Sequence, residues 1–187
     1  MINGSPCSAS AAGYAIDAVL VFLDVDGTLI PFRARPASHT FGTSPADPCP
    51  ESGNPLLDRL DPADGRRLLN LGCALVWATT WMSDANAVIS PRLGLPKLPV
   101  VGFPEPLSVP GEDSLPPDVH WKTQHLMNWA AGRPFIWLDD EATGADQRWV
   151  RNGYPAPALV HRVDPLTALA ESDFTTMHRW LSSIRPQ

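Results

Sequence analysis

Lysine is almost missing from this chain. Of the 14 basic residues only Lys97 and Lys122 are lysines, so a role that needs a compact ammonium has two candidates. Cysteine is equally scarce. Cys7, Cys49 and Cys73 are scattered and form no CxxC pair, which argues against a disulfide framework and a structural zinc site. Cys73 lies in an apolar run and reads as a small buried hydrophobe. No apolar stretch reaches membrane-spanning length. No basic segment precedes the first apolar run, which leads into Asp24 and Asp26, so a cytoplasmic protein without membrane attachment is expected. Charged residues are only 18%, the net charge is −6, and no basic cluster exists; this weighs against a protein that tracks nucleic-acid phosphates.

What is present is a globular composition, with 44% hydrophobic residues over 187 positions, enough for one domain with its own core. Residues 1–16, rich in Ala, Ser and Gly, read as a flexible leader, and 17–187 as a single domain. Prolines 31, 36, 45, 48, 50 and 55 make residues 31–55 a long loop or flap, and 104–119 is a second Pro-rich loop. Continuously apolar runs at 18–23, 73–78, 98–103, 135–138 and 158–163 read as strands covered on both faces. Helical spacing appears over 54–71 with a restart at Asp61-Pro62, an N-cap followed by proline at the first helical position. Further helices are expected over 83–89, ending before Pro91, over 121–131, ending at Gly132, and over 174–184. The alternation predicts an α/β, doubly wound, mainly parallel five-stranded Rossmann-like sheet with helices on both faces.

Two of these strands end in paired acids, and open parallel sheets carry their sites just beyond the carboxyl ends of the strands. The first gives Asp24-Val25-Asp26-Gly27-Thr28 and the fourth Asp139-Asp140-Glu141. In an extended chain Asp24 and Asp26 share one side, and Gly27 permits a sharp turn close to a ligand. So many carboxylates at one sheet edge repel one another unless a cation or protonation relieves them. All-oxygen ligation selects a hard ion such as Mg²⁺.

Asp24-Val25-Asp26-Gly27-Thr28 after a buried strand resembles motif I of the haloacid dehalogenase (HAD) superfamily. Thr79 after the second strand, Lys122 ahead of the fourth, and Asp139-Asp140 resemble its motifs II, III and IV, in order, over roughly 18–165. The resemblance implies an HAD-like fold and a Mg²⁺-dependent phosphatase acting through an aspartyl-phosphate. It makes Asp24 the nucleophile, Asp26 the general acid/base and a metal ligand through its carbonyl, and Thr79 and Lys122 the phosphate-binding residues. Asp24 and Asp140 would hold the metal, with Asp139 binding or orienting it. Thr80 rivals Thr79, and Glu141 or Asp146 could supply a further acid. Once the helix of 56–72 is counted, too little chain lies between Thr28 and Thr79 for a large cap domain, so an essentially capless member is expected. The implied substrate is a small phosphorylated metabolite. The alternatives are a phosphatase for a protein or polynucleotide phosphate, or a catalytically silent HAD-like binding module. A true dehalogenase is disfavoured because Asp26 is present. Trp81 reads as core packing with ligand stacking as the rival. Trp121, Trp129, Trp137 and Trp149 read as core and helix-to-sheet packing. His120, His125, His161 and His178 show no metal-ligand spacing and read as structural or exposed.

Overall fold

The computed structural model describes residues 18–33, 54–103 and 115–185. The proposed leader and most of the 31–55 flap lie outside the described residues. Four strands form one parallel sheet in the order β2-β1-β3-β4: β1 Leu20–Leu23, β2 Ala74–Trp77, β3 Phe135–Asp139 and β4 Ala158–Arg162. The helices are α1 Pro62–Asn70, α2 Asp84–Leu93, α3 Lys122–Ala130, α4 Gly144–Gly153 and α5 Glu171–Ile184, with a short 3-10 turn at Leu57–Arg59.

Strand alternation sorts the core into two layers. Val21, Leu23, Leu75, Trp77, Ile136 and Leu138 face α1, α2 and α5, whereas Leu20, Phe22, Ala74, Val76, Phe135 and Trp137 face α3 and α4. Gly65 lets α1 approach α2, because a Cβ there would sit 1.9 Å from the Leu93 carbonyl oxygen. Asp61 caps α1 through Ala63 N at 2.8 Å, as its position before Pro62 predicts.

Of the five expected strands the third, 98–103, is reduced to a single bridge. Trp77 N donates to Pro99 O and Val101 N to Trp77 O, pairing Trp77 with Val100 and nothing further among the described residues. Pro99 has no N–H to give, and Pro96 and Pro104 flank the segment, so an edge ladder cannot lengthen. Two helix ends also differ. α2 runs through Pro91 to Leu93, because a proline in the last turn forfeits only its own bond, to the Ala87 carbonyl. α3 is closed by Ala131 in the left-handed conformation (φ 50°), one residue before Gly132. Cys73 is half-buried, not buried, its thiol reaching the Leu71 carbonyl at 3.5 Å.

α4 was not expected. It is short and polar, burying only Ala145, Asp146 and Val150. Its start is set by a capping box: Thr143 Oγ1 accepts from Ala145 N and Asp146 N, and Asp146 Oδ2 accepts from Thr143 N.

β1 is central, and the chain leaves it toward β2 on one side and returns to β3 on the other. The crevice beyond the carboxyl ends of β1 and β3 is therefore the switch point of the sheet.

Candidate active site

The first side chains past β1 and β3 meet in that crevice. Asp24 follows β1, with its N–H bonded to Leu138 O at 3.1 Å, so it lies level with Asp139 at the end of β3. Ala78 N bonds Leu23 O at 2.8 Å and brings the end of β2 to the same level. The loop after Asp24 is tight. Leu29 N and Ile30 N both donate to Val25 O, while Val25, Leu29 and Ile30 are buried in the core. Gly27 holds φ 71°, and a Cβ there would fall 2.4 Å from Asp140 Cγ, so this loop closes against Asp140 only with glycine. Thr28 Oγ1 is buried in the same loop, with no hydrogen-bond partner among the described residues.

Lys122, the first residue of α3 and only 3% exposed, joins the two strands. Its Nζ donates to Asp24 Oδ1 and to Asp139 Oδ2, both at 2.9 Å. Asp139 is wholly buried and fully engaged: Oδ2 also accepts from Trp137 Nε1 at 3.2 Å, and Oδ1 accepts from Glu141 N at 2.9 Å. The backbone of Asp140 is pinned through its carbonyl by Arg162 Nε at 3.0 Å. Asp24, Asp139 and Asp140 each offer an oxygen within 4.8 Å of the others.

Three carboxylates thus share one ammonium. Burial works to lower the Lys122 ammonium, but Asp24 and Asp139 more than offset it and hold the group above its ordinary value. The carboxylates bear the excess charge. Burial pushes the Asp24 carboxyl up to about 7, with Lys122 pulling it down and Asp139 pushing it up again. Burial and then Asp139 raise Asp140 as well. An all-oxygen set carrying surplus negative charge fits a hard divalent cation such as Mg²⁺, which would be held by Asp24 and Asp140 with Asp139 behind them.

A stability prediction follows from the sign of these shifts. Folded Asp24 binds its proton more tightly than the unfolded chain does, between the ordinary 3.8 and about 7. Without divalent metal, stability should therefore fall as pH rises through this window and be lowest above it. Millimolar Mg²⁺ should remove that slope, because it stabilises the ionised form. Thermal melts across the window, with Mg²⁺ or chelator, check this; a slope unchanged by Mg²⁺ would count against a metal at these acids.

The remaining expected residues fall around the same centre. Asp26, part-exposed, accepts from Trp81 Nε1 at 2.8 Å. Thr79 is fully buried at the end of β2, its Oγ1 accepting from Trp81 N at 3.3 Å, whereas Thr80 is exposed. Asp146 stands apart: both its oxygens are occupied, by His120 N, Thr123 Oγ1, Thr143 N and Thr143 Oγ1. Burial pushes its carboxyl up, and these donors more than reverse the effect, leaving it low. It ties α3 to α4 beneath the site. Glu141 is exposed and reaches His120 Nε2 at 3.1 Å, while His120 Nδ1 accepts from Lys122 N at 3.2 Å.

Sequence reasoning missed His120 as a neighbour of the site, and missed the hydrogen bond that Trp81 makes there. Trp81 packs on the core as expected but also spends its N–H on Asp26. His120 lies two residues before Lys122, and no spacing rule singles it out. Trp121 departs from the packing expectation, being 44% exposed, though Trp137 is wholly buried. The chemistry is not in the two described hollows of about 330 and about 340 Å³, which are lined by residues such as Arg151 and Tyr154, or Arg148 and Trp149. No described helix is long and apolar enough to cross a membrane.

The family model described as "HAD domain in Swiss Army Knife RNA repair proteins" matches residues 20–174, which include every one of these site residues. No curated protein and no solved structure matches the chain.

Proposed function

The chain belongs to the HAD superfamily, in the family of HAD domains in Swiss Army Knife RNA repair proteins, and on that premise we propose that it is a Mg²⁺-dependent phosphomonoester hydrolase working through an aspartyl-phosphate. Membership itself carries hydrolase chemistry of the phosphatase type. The observation that carries the finer reading is the Lys122 ammonium held between Asp24 and Asp139 at the switch point of the sheet.

Asp24 attacks phosphorus and forms the aspartyl-phosphate, a mixed anhydride, while the bond to the leaving oxygen breaks. Asp26 gives its proton to that oxygen, then takes one from the water that hydrolyses the aspartyl-phosphate and frees Asp24. Lys122 and Thr79 hold phosphoryl oxygens, and Asp139 keeps Lys122 aimed. A Mg²⁺ ion on Asp24 and Asp140 would neutralise charge between an anionic nucleophile and an anionic substrate. The acids alone, at a net charge of −6 for the chain, would repel a phosphate dianion.

The substrate has two readings. A small phosphorylated metabolite agrees with the acidic chain and its two lysines. A phosphate at a polynucleotide end is favoured by the family's description, which names RNA repair proteins. Hydrolysis of p-nitrophenyl phosphate with Mg²⁺ and with chelator tests the chemistry; turnover that survives exhaustive chelation would sink the metal-dependent mechanism. Competition between a sugar phosphate and an end-phosphorylated oligoribonucleotide then separates the substrates. No turnover of any phosphomonoester would leave the silent binding module. Asp140→Ala should weaken Mg²⁺ activation more than Asp139→Ala, because Asp139 already accepts from three donors. A Mg²⁺ titration of activity and melting temperature in both variants reads the order.

A further inference from the structure

Asp26 and Trp81 lie 55 residues apart and come from different strands' loops, yet they meet at the mouth of the sheet. The indole Nε1–H donates to Asp26 Oδ2 at 2.8 Å. Among the described residues it is the one hydrogen-bond partner of that carboxyl. An indole N–H is a donor only, so Oδ2 is always the accepting oxygen. The carbonyl oxygen of a carboxylic acid accepts better than its hydroxyl oxygen, so this contact favours a proton of Asp26 on Oδ1.

Trp81 is held by its ring, its backbone and the turn that follows. Its ring packs against the core layer of α1, α2 and α5. Its backbone N–H is taken by Thr79 Oγ1 at 3.3 Å, which couples it to the candidate phosphate-binding threonine. The turn closes with Met82 N on Thr79 O and with Met82 at φ 49°, a left-handed conformation uncommon outside glycine. Such outliers gather where the surroundings over-determine a site. Filling the core requires only the ring. The aim of the N–H at a half-exposed carboxylate requires the turn.

We propose that Trp81 is a positioning residue for Asp26, its indole N–H fixing Oδ2 so that Oδ1 carries the proton to and from the reacting oxygen. The inference rests on the phosphomonoesterase reading above. In the first half-reaction the Oδ1 proton passes to the leaving oxygen as that oxygen takes the electron pair of its bond to phosphorus. In the second, Oδ1 accepts a proton from the attacking water as Asp24 leaves phosphorus with its electron pair. Both steps need one defined oxygen in line with the bond. A carboxyl free to rotate about its Cβ–Cγ bond presents the wrong oxygen part of the time.

Trp81→Phe keeps an aromatic ring and removes the donor. An alkyl phosphate leaves poorly and needs its proton, whereas p-nitrophenol leaves without one. The variant should therefore lose about tenfold in the pre-steady-state rate of alcohol release from an alkyl phosphate, a fraction of the 10²–10⁴ that acid/base catalysis supplies. The pre-steady-state release of p-nitrophenol from p-nitrophenyl phosphate should slow less than about twofold, with the affinity for both substrates nearly unchanged. The later hydrolysis of the aspartyl-phosphate is common to both substrates and slows alike, so it does not enter the comparison. A packing defect would lower both release rates together, and equal losses would overturn the proposal. The contact has its own readout. The Trp81 indole ¹H–¹⁵N resonance, assigned by its absence in Trp81→Phe, should move upfield in Asp26→Ala. If it does not move, the hydrogen bond is not made and the proposal fails. If it moves but the wild type hydrolyses no phosphomonoester, the contact stands while the phosphatase reading, and Trp81's role within it, both fall.

Discussion

Asp24→Asn should lower turnover by about four orders of magnitude or more while making the metal-free protein more stable at neutral pH. The two halves have one cause. The amide keeps the size of the carboxyl and an oxygen for the Lys122 ammonium, so the 2.9 Å contact survives. It has no anionic oxygen with which to attack phosphorus. Yet that same anion is what the fold holds at a cost, since burial pushes the Asp24 carboxyl up to about 7. A neutral side chain removes the surplus negative charge shared by Asp24, Asp139 and Asp140. Activity and stability should therefore move in opposite directions, as is common where a fold carries a strained functional group. Single-turnover rates with p-nitrophenyl phosphate and a chemical-denaturation curve in chelator read the two effects. Near wild-type turnover would refute the aspartyl-phosphate mechanism; a large loss of stability would mean that the charged form is what the fold prefers.

Lys122→Met should do the reverse to stability. Lys122 is buried and is the only ammonium within hydrogen-bonding reach of Asp24 and Asp139 among the described residues. Methionine fills similar volume but leaves two buried carboxylates facing each other. Removing one partner of a buried ion pair costs about 3–5 kcal/mol, because the remaining charge is uncompensated. Here two charges remain, so the loss should be at the upper end without metal and largest at high pH. Mg²⁺ should restore part of the stability and little of the activity. Turnover should fall by about 10²–10³, the range for loss of one preorganised group at the developing charge. Urea unfolding at two pH values, with and without Mg²⁺, separates the effects. Lys122→Arg should not rescue activity, because a planar fork cannot place one compact charge between Asp24 Oδ1 and Asp139 Oδ2. Equal stability of Lys122→Met and wild type in chelator would mean that the acids are protonated before Lys122 acts on them.

Both predictions concern residues that stand out in the amino-acid sequence, and the reason is local. Asp24 and Asp139 terminate runs so apolar that a buried strand is the only sensible reading, and a charge ending such a run must lie at the end of its strand. Lys122 is conspicuous because only one other lysine exists. The succession of strands and helices along the chain and the placement of Asp61 as a cap are likewise short-range facts, written in the spacing of a few residues. Short-range patterns mislead where a segment is polar or proline-bearing. α4 hides because its helical face buries only Ala145, Asp146 and Val150, and its start lies in the Thr143–Asp146 box. The 98–103 segment has strand composition, but a strand exists only through its ladder, and beside Pro99 that ladder is one bridge long.

By itself the sequence determined the fold class, the carboxylate-bearing strand ends and the identity of the acids and the lysine, because burial periodicity and charge placement act over neighbouring residues. Only the tertiary structure decided which oxygen of which acid each donor reaches. Lys122 spans to Asp24 across 98 residues, and Trp81 reaches Asp26 across 55. Such pairings depend on strand order and on the rotamers that packing allows. Strand order arises from the whole sheet closing at once, so no window of sequence contains it. That is why Asp146, an acid in the right region, proves to be a tie between two helices, and why Trp81, a residue of core character, ends with its N–H on the candidate acid/base.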